Sequence, residues 1–139
     1  MKSNLLHSHL TMQFENVSPQ RVYDVYLSSK EHGEATKNVA EIDARAGGSF
    51  SAYDGYLTGN FITLVPGKFI LQTWRSEHFK PTDPDAILAL KFGTNDFEVT
   101  EVEMLFINNP DHLDRHDNSA WNFNYWEPFR KYLSENPVR

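Results

Sequence analysis

The segment Leu57-Thr58-Gly59-Asn60-Phe61-Ile62-Thr63-Leu64-Val65-Pro66-Gly67-Lys68-Phe69-Ile70-Leu71-Gln72-Thr73-Trp74-Arg75-Ser76 sets the architecture of this chain. Two runs rich in β-branched and aromatic residues, Leu57 to Val65 and Phe69 to Ser76, are divided by Pro66-Gly67, a pair that suits a tight turn. The same grammar extends both ways. Upstream, Val39 to Ala46 ends at Gly47-Gly48, and Phe50 to Tyr53 ends at Asp54-Gly55. Downstream, Ser76 runs into Pro81-Thr82-Asp83-Pro84-Asp85, Ile87 to Phe92 ends at Gly93-Thr94-Asn95-Asp96, and Phe97 to Ile107 reaches Asn108-Asn109-Pro110. Short strands at this spacing predict an antiparallel meander. The glycines lie between strands, where positive φ and bends are needed, and not in the strand-to-helix setting of a phosphate cradle.

The flanks supply the remaining elements. Leu6, Ser8, Leu10, Met12 and Phe14 alternate with His7, His9, Thr11 and Gln13, the period of a half-buried strand. Ser18-Pro19 then offers an N-cap with proline at the first helical position, and Val22, Tyr23, Val25, Tyr26 and Leu27 give that helix an apolar side. His32-Gly33 is expected to break it, with a second helical turn near Glu34 to Lys37. In the tail, Trp121, Tyr125, Phe129 and Tyr132/Leu133 recur at helical spacing and predict a long helix with one apolar face. Pro128 removes a hydrogen bond to the carbonyl of Asn124, so a bend is expected there. Six to seven antiparallel strands with helices segregated to one side make an α+β fold.

Composition narrows the function. The chain has 139 residues, 40% hydrophobic and 23% charged, which suits a single domain over residues 1–139 able to bury a real core. It has no cysteine, which excludes disulfides, thiolate metal sites and thiol nucleophiles. A net charge of −6 without a basic run argues against nucleic acid. No apolar run approaches the roughly 20 residues of a membrane span, and the N-terminus lacks a signal-peptide core. The expected setting is cytoplasmic.

Aromatic residues reach 14%, enough to fill a core or line a pocket. The cavity candidates are Arg45, Phe50, Tyr53, Phe61, Trp74, Phe92, Met104, Trp121 and Tyr125. An empty apolar cavity of ~300 Å³ would cost about 7 kcal/mol, which rivals a whole domain's stability. A cavity here must therefore be small, wet or occupied. Asp43, Arg75, Glu101 and Glu103 are strand charges that fit a wet sheet face. His112 and His116 stand one helical turn apart, a spacing used for zinc or copper, but two ligands alone hold a metal weakly. No metal or cofactor is expected. His7, His9 and His78 form a general-base cluster only if their strands meet. The catalytic inventory is otherwise poor, since Gly48-Ser49-Phe50-Ser51 lacks the second glycine and the following helix of a nucleophile elbow.

Arg45-Ala46-Gly47-Gly48-Ser49-Phe50, Asp54-Gly55-Tyr56-Leu57-Thr58-Gly59-Asn60-Phe61 and Leu64-Val65-Pro66-Gly67-Lys68-Phe69-Ile70-Leu71-Gln72-Thr73-Trp74-Arg75, with the aromatic Trp121 to Leu133 tail, resemble the activator of heat-shock protein 90 ATPase homologue family. The likeness is to the C-terminal domain of the eukaryotic activator and its short bacterial homologues, and spans about residues 10–135. It implies a helix-grip fold of the START-like, SRPBCC or Bet v-like superfamily, in which a sheet curls around the C-terminal helix and often leaves a cavity. This scaffold hosts carriers, enzymes and protein-binding modules alike. The reading favours a non-enzymatic domain that binds a small hydrophobic ligand, as a monomer or homodimer. The alternatives are a chaperone cofactor engaging a heat-shock protein 90 type ATPase, and a polyketide-cyclase-like enzyme.

Overall fold

Ser18 starts the first helix by the means its sequence suggests. Its Oγ accepts the Arg21 amide hydrogen at 3.1 Å, and Pro19, which has no amide hydrogen to leave unpaired, fills the first turn. The computed structural model describes residues 5–110 and 125–136. Within them run β1 (Leu5–Phe14), α1 (Pro19–Leu27), α2 (Ser29–Thr36), β2 (Glu41–Ile42), β3 (Ser49–Ala52), β4 (Leu57–Val65), β5 (Phe69–Ser76), β6 (Ala86–Thr94), β7 (Thr100–Pro110) and α3 (Glu127–Glu135).

The strands form one curved antiparallel sheet in the order β1-β7-β6-β5-β4-β3-β2. From β2 to β7 it is the expected meander, and β1 closes it by pairing with β7, Leu10 opposite Met104 and Phe14 opposite Thr100. Strict alternation puts Leu88, Leu90 and Phe92 of β6 and Val102, Met104 and Phe106 of β7 into the core. α1 covers β6 and β7, while α3 packs on α2.

Curvature has local causes. The β4–β5 register shifts between Phe61 and Thr63, and such a bulge bends and twists its strand. Beside it, a Cβ on Gly59 would lie 2.1 Å from the Thr73 carbonyl oxygen and 2.5 Å from Phe50 Cε1. Only glycine lets the strands approach this closely. Gly59→Ala is expected to destabilise by about 1–3 kcal/mol, as overpacking does, read as a lower urea midpoint with an unchanged slope.

A buried ion pair ties the three helices together. Arg21 of α1 grips Glu31 of α2 through Nη1 at 2.9 Å and Nη2 at 2.8 Å. Arg21 also donates to the Asn136 carbonyl just past α3, and Tyr132 of α3 donates to Glu31 at 2.8 Å. The two side chains are only 8% and 7% exposed.

Several boundaries differ from the expected ones. The first helix ends at Ser28, not at His32-Gly33, because Ser28 adopts an extended conformation and its Oγ caps α2 through the Glu31 amide hydrogen at 3.1 Å. Gly33 therefore lies inside α2. The strand expected from Val39 to Ala46 shrinks to Glu41–Ile42, since Asp43 to Gly48 folds into a turn whose Arg45 Nε donates to the Asp43 carboxylate and whose Gly47 sits at φ 84°. Phe97 is not in β7 but on the preceding turn, 85% exposed, with its amide donating to Asn95 Oδ1. Pro128 lies in the first turn of α3, where its missing amide hydrogen is harmless, and a π-helical turn at Tyr125-Trp126 precedes it. The expected length of that helix toward Trp121 lies outside the described residues.

Candidate binding site

β5 turns Ile70, Gln72 and Trp74 to the concave side of the sheet, so its pleat carries a carboxamide into an otherwise apolar row. Gln72 is 1% exposed. Tyr26, on the buried side of α1, donates its hydroxyl hydrogen to Gln72 Oε1 at 2.9 Å. From α2, His32 Nδ1 lies 2.7 Å from the Tyr26 carbonyl oxygen. A carbonyl only accepts, so Nδ1 carries the hydrogen and Nε2 is the acceptor. The Tyr125 hydroxyl donates to that Nε2 at 2.7 Å. Gln72, Tyr26, His32 and Tyr125 thus make a buried polar array fed by four elements of structure.

Aromatic rings enclose it. Trp126 stacks on Tyr26 with centroids 6.2 Å apart and planes within 20°, and Tyr125 stacks on Phe129 at 5.5 Å and 12°. His32 meets Phe129 edge-on at 5.0 Å. Trp126 is fully buried, yet its indole Nε1–H has no hydrogen-bond partner among the described residues. Buried polar groups are nearly always paired, so this donor without an acceptor calls for a functional or structural reason.

Burial controls the titration of the array. It lowers His32 from 6.5 to about 4, the bond to the Tyr26 carbonyl opposing only in part, so the imidazole is neutral at pH 7. Burial likewise pushes the Tyr26 and Tyr125 phenols up. The array is therefore a set of fixed neutral dipoles. His32 supplies the inward titratable group that an enzyme on this fold needs, but both its nitrogens are engaged in positioning Tyr26 and Tyr125.

Of the residues singled out in the sequence, Tyr125 stands in this array, and Tyr53 stands beside it, half-buried, with its ring 5.7 Å from Tyr125. Tyr53 sits at φ 53° in a turn continued by Asp54 at 58°, a strained posture for a bulky residue. Phe50 and Phe61 pack on one another at 5.6 Å, Phe92 packs under Tyr23 of α1, and Met104 is fully buried. Trp74 meets Phe106 edge-on at 4.9 Å. Arg45 is 73% exposed on its turn, paired with Asp43, because a guanidinium finds water and its own loop's carboxylate more easily than the core. Trp121, His112 and His116 lie outside the described residues.

The strands do not gather His7, His9 and His78 into a cluster, and all three are exposed. His9 pairs with Glu103 at 2.7 Å on the outer face of the β1–β7 pair, whereas His78 meets Tyr56 edge-on at 5.4 Å beyond β5. Among the described residues no three metal-ligating side chains converge. An open cleft of about 510 Å³ runs between the β1–α1 turn, at Phe14 and Asn16, and Arg130 of α3, away from the array. No helix among the described residues is long and apolar enough to cross a membrane.

Residues 16–133 match the family model of the Activator of Hsp90 ATPase homolog 1-like protein. A Dictyostelium discoideum activator of 90 kDa heat shock protein ATPase homolog is 30% identical over 88 residues, 63% of this chain and 23% of that protein. The mouse homolog 1 is 35% identical over 75 residues, 54% of this chain and 22% of its own length. The matched stretch is thus under a quarter of each relative. In fold, an HSP90 activator from Plasmodium falciparum superposes with a TM-score of 0.76 at 17% identity, over 94% of both chains. Ara h 8.0201 does so at 0.73 and 10% identity, over 96% of this chain and all of that one. Sequence, sheet order and the aromatic C-terminal helix agree, and the chain belongs to the Activator of Hsp90 ATPase homolog 1-like family, on a helix-grip α+β fold.

Proposed function

We propose that this domain binds a small hydrophobic ligand between its sheet and its C-terminal segment, without catalysing a reaction on it. The supporting observation is the fully buried Trp126 indole N–H left without a partner among the described residues, at the edge of the Gln72–Tyr26–Tyr125–His32 array. Leaving such a donor unpaired costs about 1–3 kcal/mol, which a bound acceptor returns. Tyr53 and the array orient the ligand, while Arg45 takes no part. On this reading the domain acts in the cytoplasm.

Native mass spectrometry of freshly purified protein is expected to show the extra mass of a small organic molecule. Stripped protein should take up an apolar fluorescent probe saturably, and Tyr125→Ala should weaken that uptake about tenfold, a loss of about 1.4 kcal/mol. A bare polypeptide mass with no saturable uptake would falsify this reading.

The second reading is a chaperone cofactor, supported by the names of the relatives. It predicts stimulated ATPase activity of a heat-shock protein 90 type chaperone that survives Tyr125→Ala. The solved dimer of an Aha1 from Colwellia psychrerythraea, similar in fold at a TM-score of 0.70, makes a homodimer the arrangement to look for in that assay.

A further inference from the structure

We infer that the ligand is neutral and planar, and that it carries a hydrogen-bond-accepting carbonyl which docks on the Gln72 carboxamide and the Trp126 indole. This rests on the ligand-binding reading above and specifies its chemistry.

The donors come first. An indole N–H can only donate, and the Trp126 one has no acceptor among the described residues. Gln72 spends its Oε1 on the Tyr26 hydroxyl, so what remains of the carboxamide is its N–H pair, which meets no acceptor among the described residues. Both groups are within reach of one ring, since Tyr26 bonds Gln72 and stacks on Trp126. Both donors flank Tyr26 and ask for an acceptor, and a carbonyl oxygen offers two lone pairs.

The charge balance then selects among acceptors. A fatty-acid or other carboxylate would also accept, but it needs a cation. Among the described residues no hydrogen bond joins a Lys or Arg to the side chains of Gln72, Trp126, Tyr26 or His32. Arg21 is consumed by Glu31 and the Asn136 carbonyl, and His32 has its one N–H committed to the Tyr26 carbonyl. An anion buried here would stand uncompensated. Shape points the same way, because the surroundings of the array are ring faces, Tyr26 against Trp126 and Tyr125 against Phe129, on which a further ring stacks best.

The test compares two probes of one shape. The first is 6-propionyl-2-dimethylaminonaphthalene, a neutral ketone whose emission moves to longer wavelength when its carbonyl accepts a hydrogen bond. The second is 6-dimethylamino-2-naphthoate. Stripped wild-type protein is expected to bind the ketone at least tenfold more tightly at pH 7.5. Trp126→Phe and, separately, Gln72→Met should each weaken the ketone about tenfold and shift its bound emission to shorter wavelength. Thermal unfolding run in parallel confirms that each variant is folded, and the wild-type pair decides the matter should a variant not be. Equal or tighter binding of the naphthoate overturns the inference and leaves a hydrophobic ligand standing. So does a Trp126→Phe variant of raised stability and unchanged ketone affinity, which would make the indole an unsatisfied donor in a closed core. If neither probe binds, both readings fall.

Discussion

Lowering the pH from about 7.5 to about 5 is expected to remove about 2 kcal/mol of stability through His32 alone. Burial holds its pKa at about 4 in the folded protein against 6.5 in the unfolded chain. Between these values the unfolded chain binds a proton that the native state refuses, so stability rises with pH. The contribution is fully present above about pH 6.5 and is lost as the pH falls toward about 4. The whole effect is about 3 kcal/mol. Glu34 and Glu135 do not obscure it, because hydrogen bonds from Lys30 and Lys131 hold them below the usual carboxylate value, under the window used. His32→Asn keeps a donor for the Tyr26 carbonyl but cannot titrate. Urea midpoints for that variant should be lower at pH 7.5 and nearly flat down to pH 5. A wild-type protein equally stable at both pH values would contradict the neutral buried imidazole.

Arg21→Ala is expected to be the most damaging single substitution, at about 3–5 kcal/mol. It takes the guanidinium from the Glu31 carboxylate, 7% exposed, leaving its charge uncompensated beside the Tyr132 hydroxyl, and frees the Asn136 carbonyl from α1. Removing both charges is another matter. Arg21→Met combined with Glu31→Leu should recover most of the loss, because neither desolvation penalty remains. Chemical denaturation of the two single variants and the double variant at pH 7 gives the coupling energy directly, and a loss below about 1 kcal/mol for Arg21→Ala would show that the pair is not effectively buried.

Much of the scaffold is legible from local rules. Ser18-Pro19 gave α1 its start, Leu57 to Val65 and Phe69 to Ser76 are β4 and β5 to the residue, and the Met12–Phe14 phase of β1 holds. Helix ends within α1 and α2 were harder. Gly33 reads as a breaker, yet a serine in extended conformation five residues earlier stops the helix, and glycine in α2 answers to the close approach of Asn38.

The site was less visible, for reasons that differ by residue. Gln72 was in plain sight, a polar side chain at the inward phase of β5 between Ile70 and Trp74. Tyr26 was assigned to the apolar side of its helix without regard to its hydroxyl. Trp126 went unnoticed although it stands i, i+3, i+7 with Phe129 and Leu133 on the buried face, because its neighbour Tyr125 was taken as the one inward residue of that turn. His32 acquires its meaning only from Tyr125, 93 residues away, a distance no local pattern spans.

The pairing of β1 with β7 has a consequence for how this protein is made. Among the described residues β1 hydrogen-bonds to one strand, and that strand begins at Thr100. At about 5–20 residues per second, a ribosome needs roughly 5–20 s to bring β7 within reach of a finished β1. Over that interval Leu10, Met12 and Phe14 line one side of a strand with both edges unsatisfied, the form in which nascent chains most readily associate with one another. The sheet is thus complete only once β7 has emerged, and slowing translation between Phe14 and Thr100 should raise the aggregated fraction of new chains without altering the stability of those that fold.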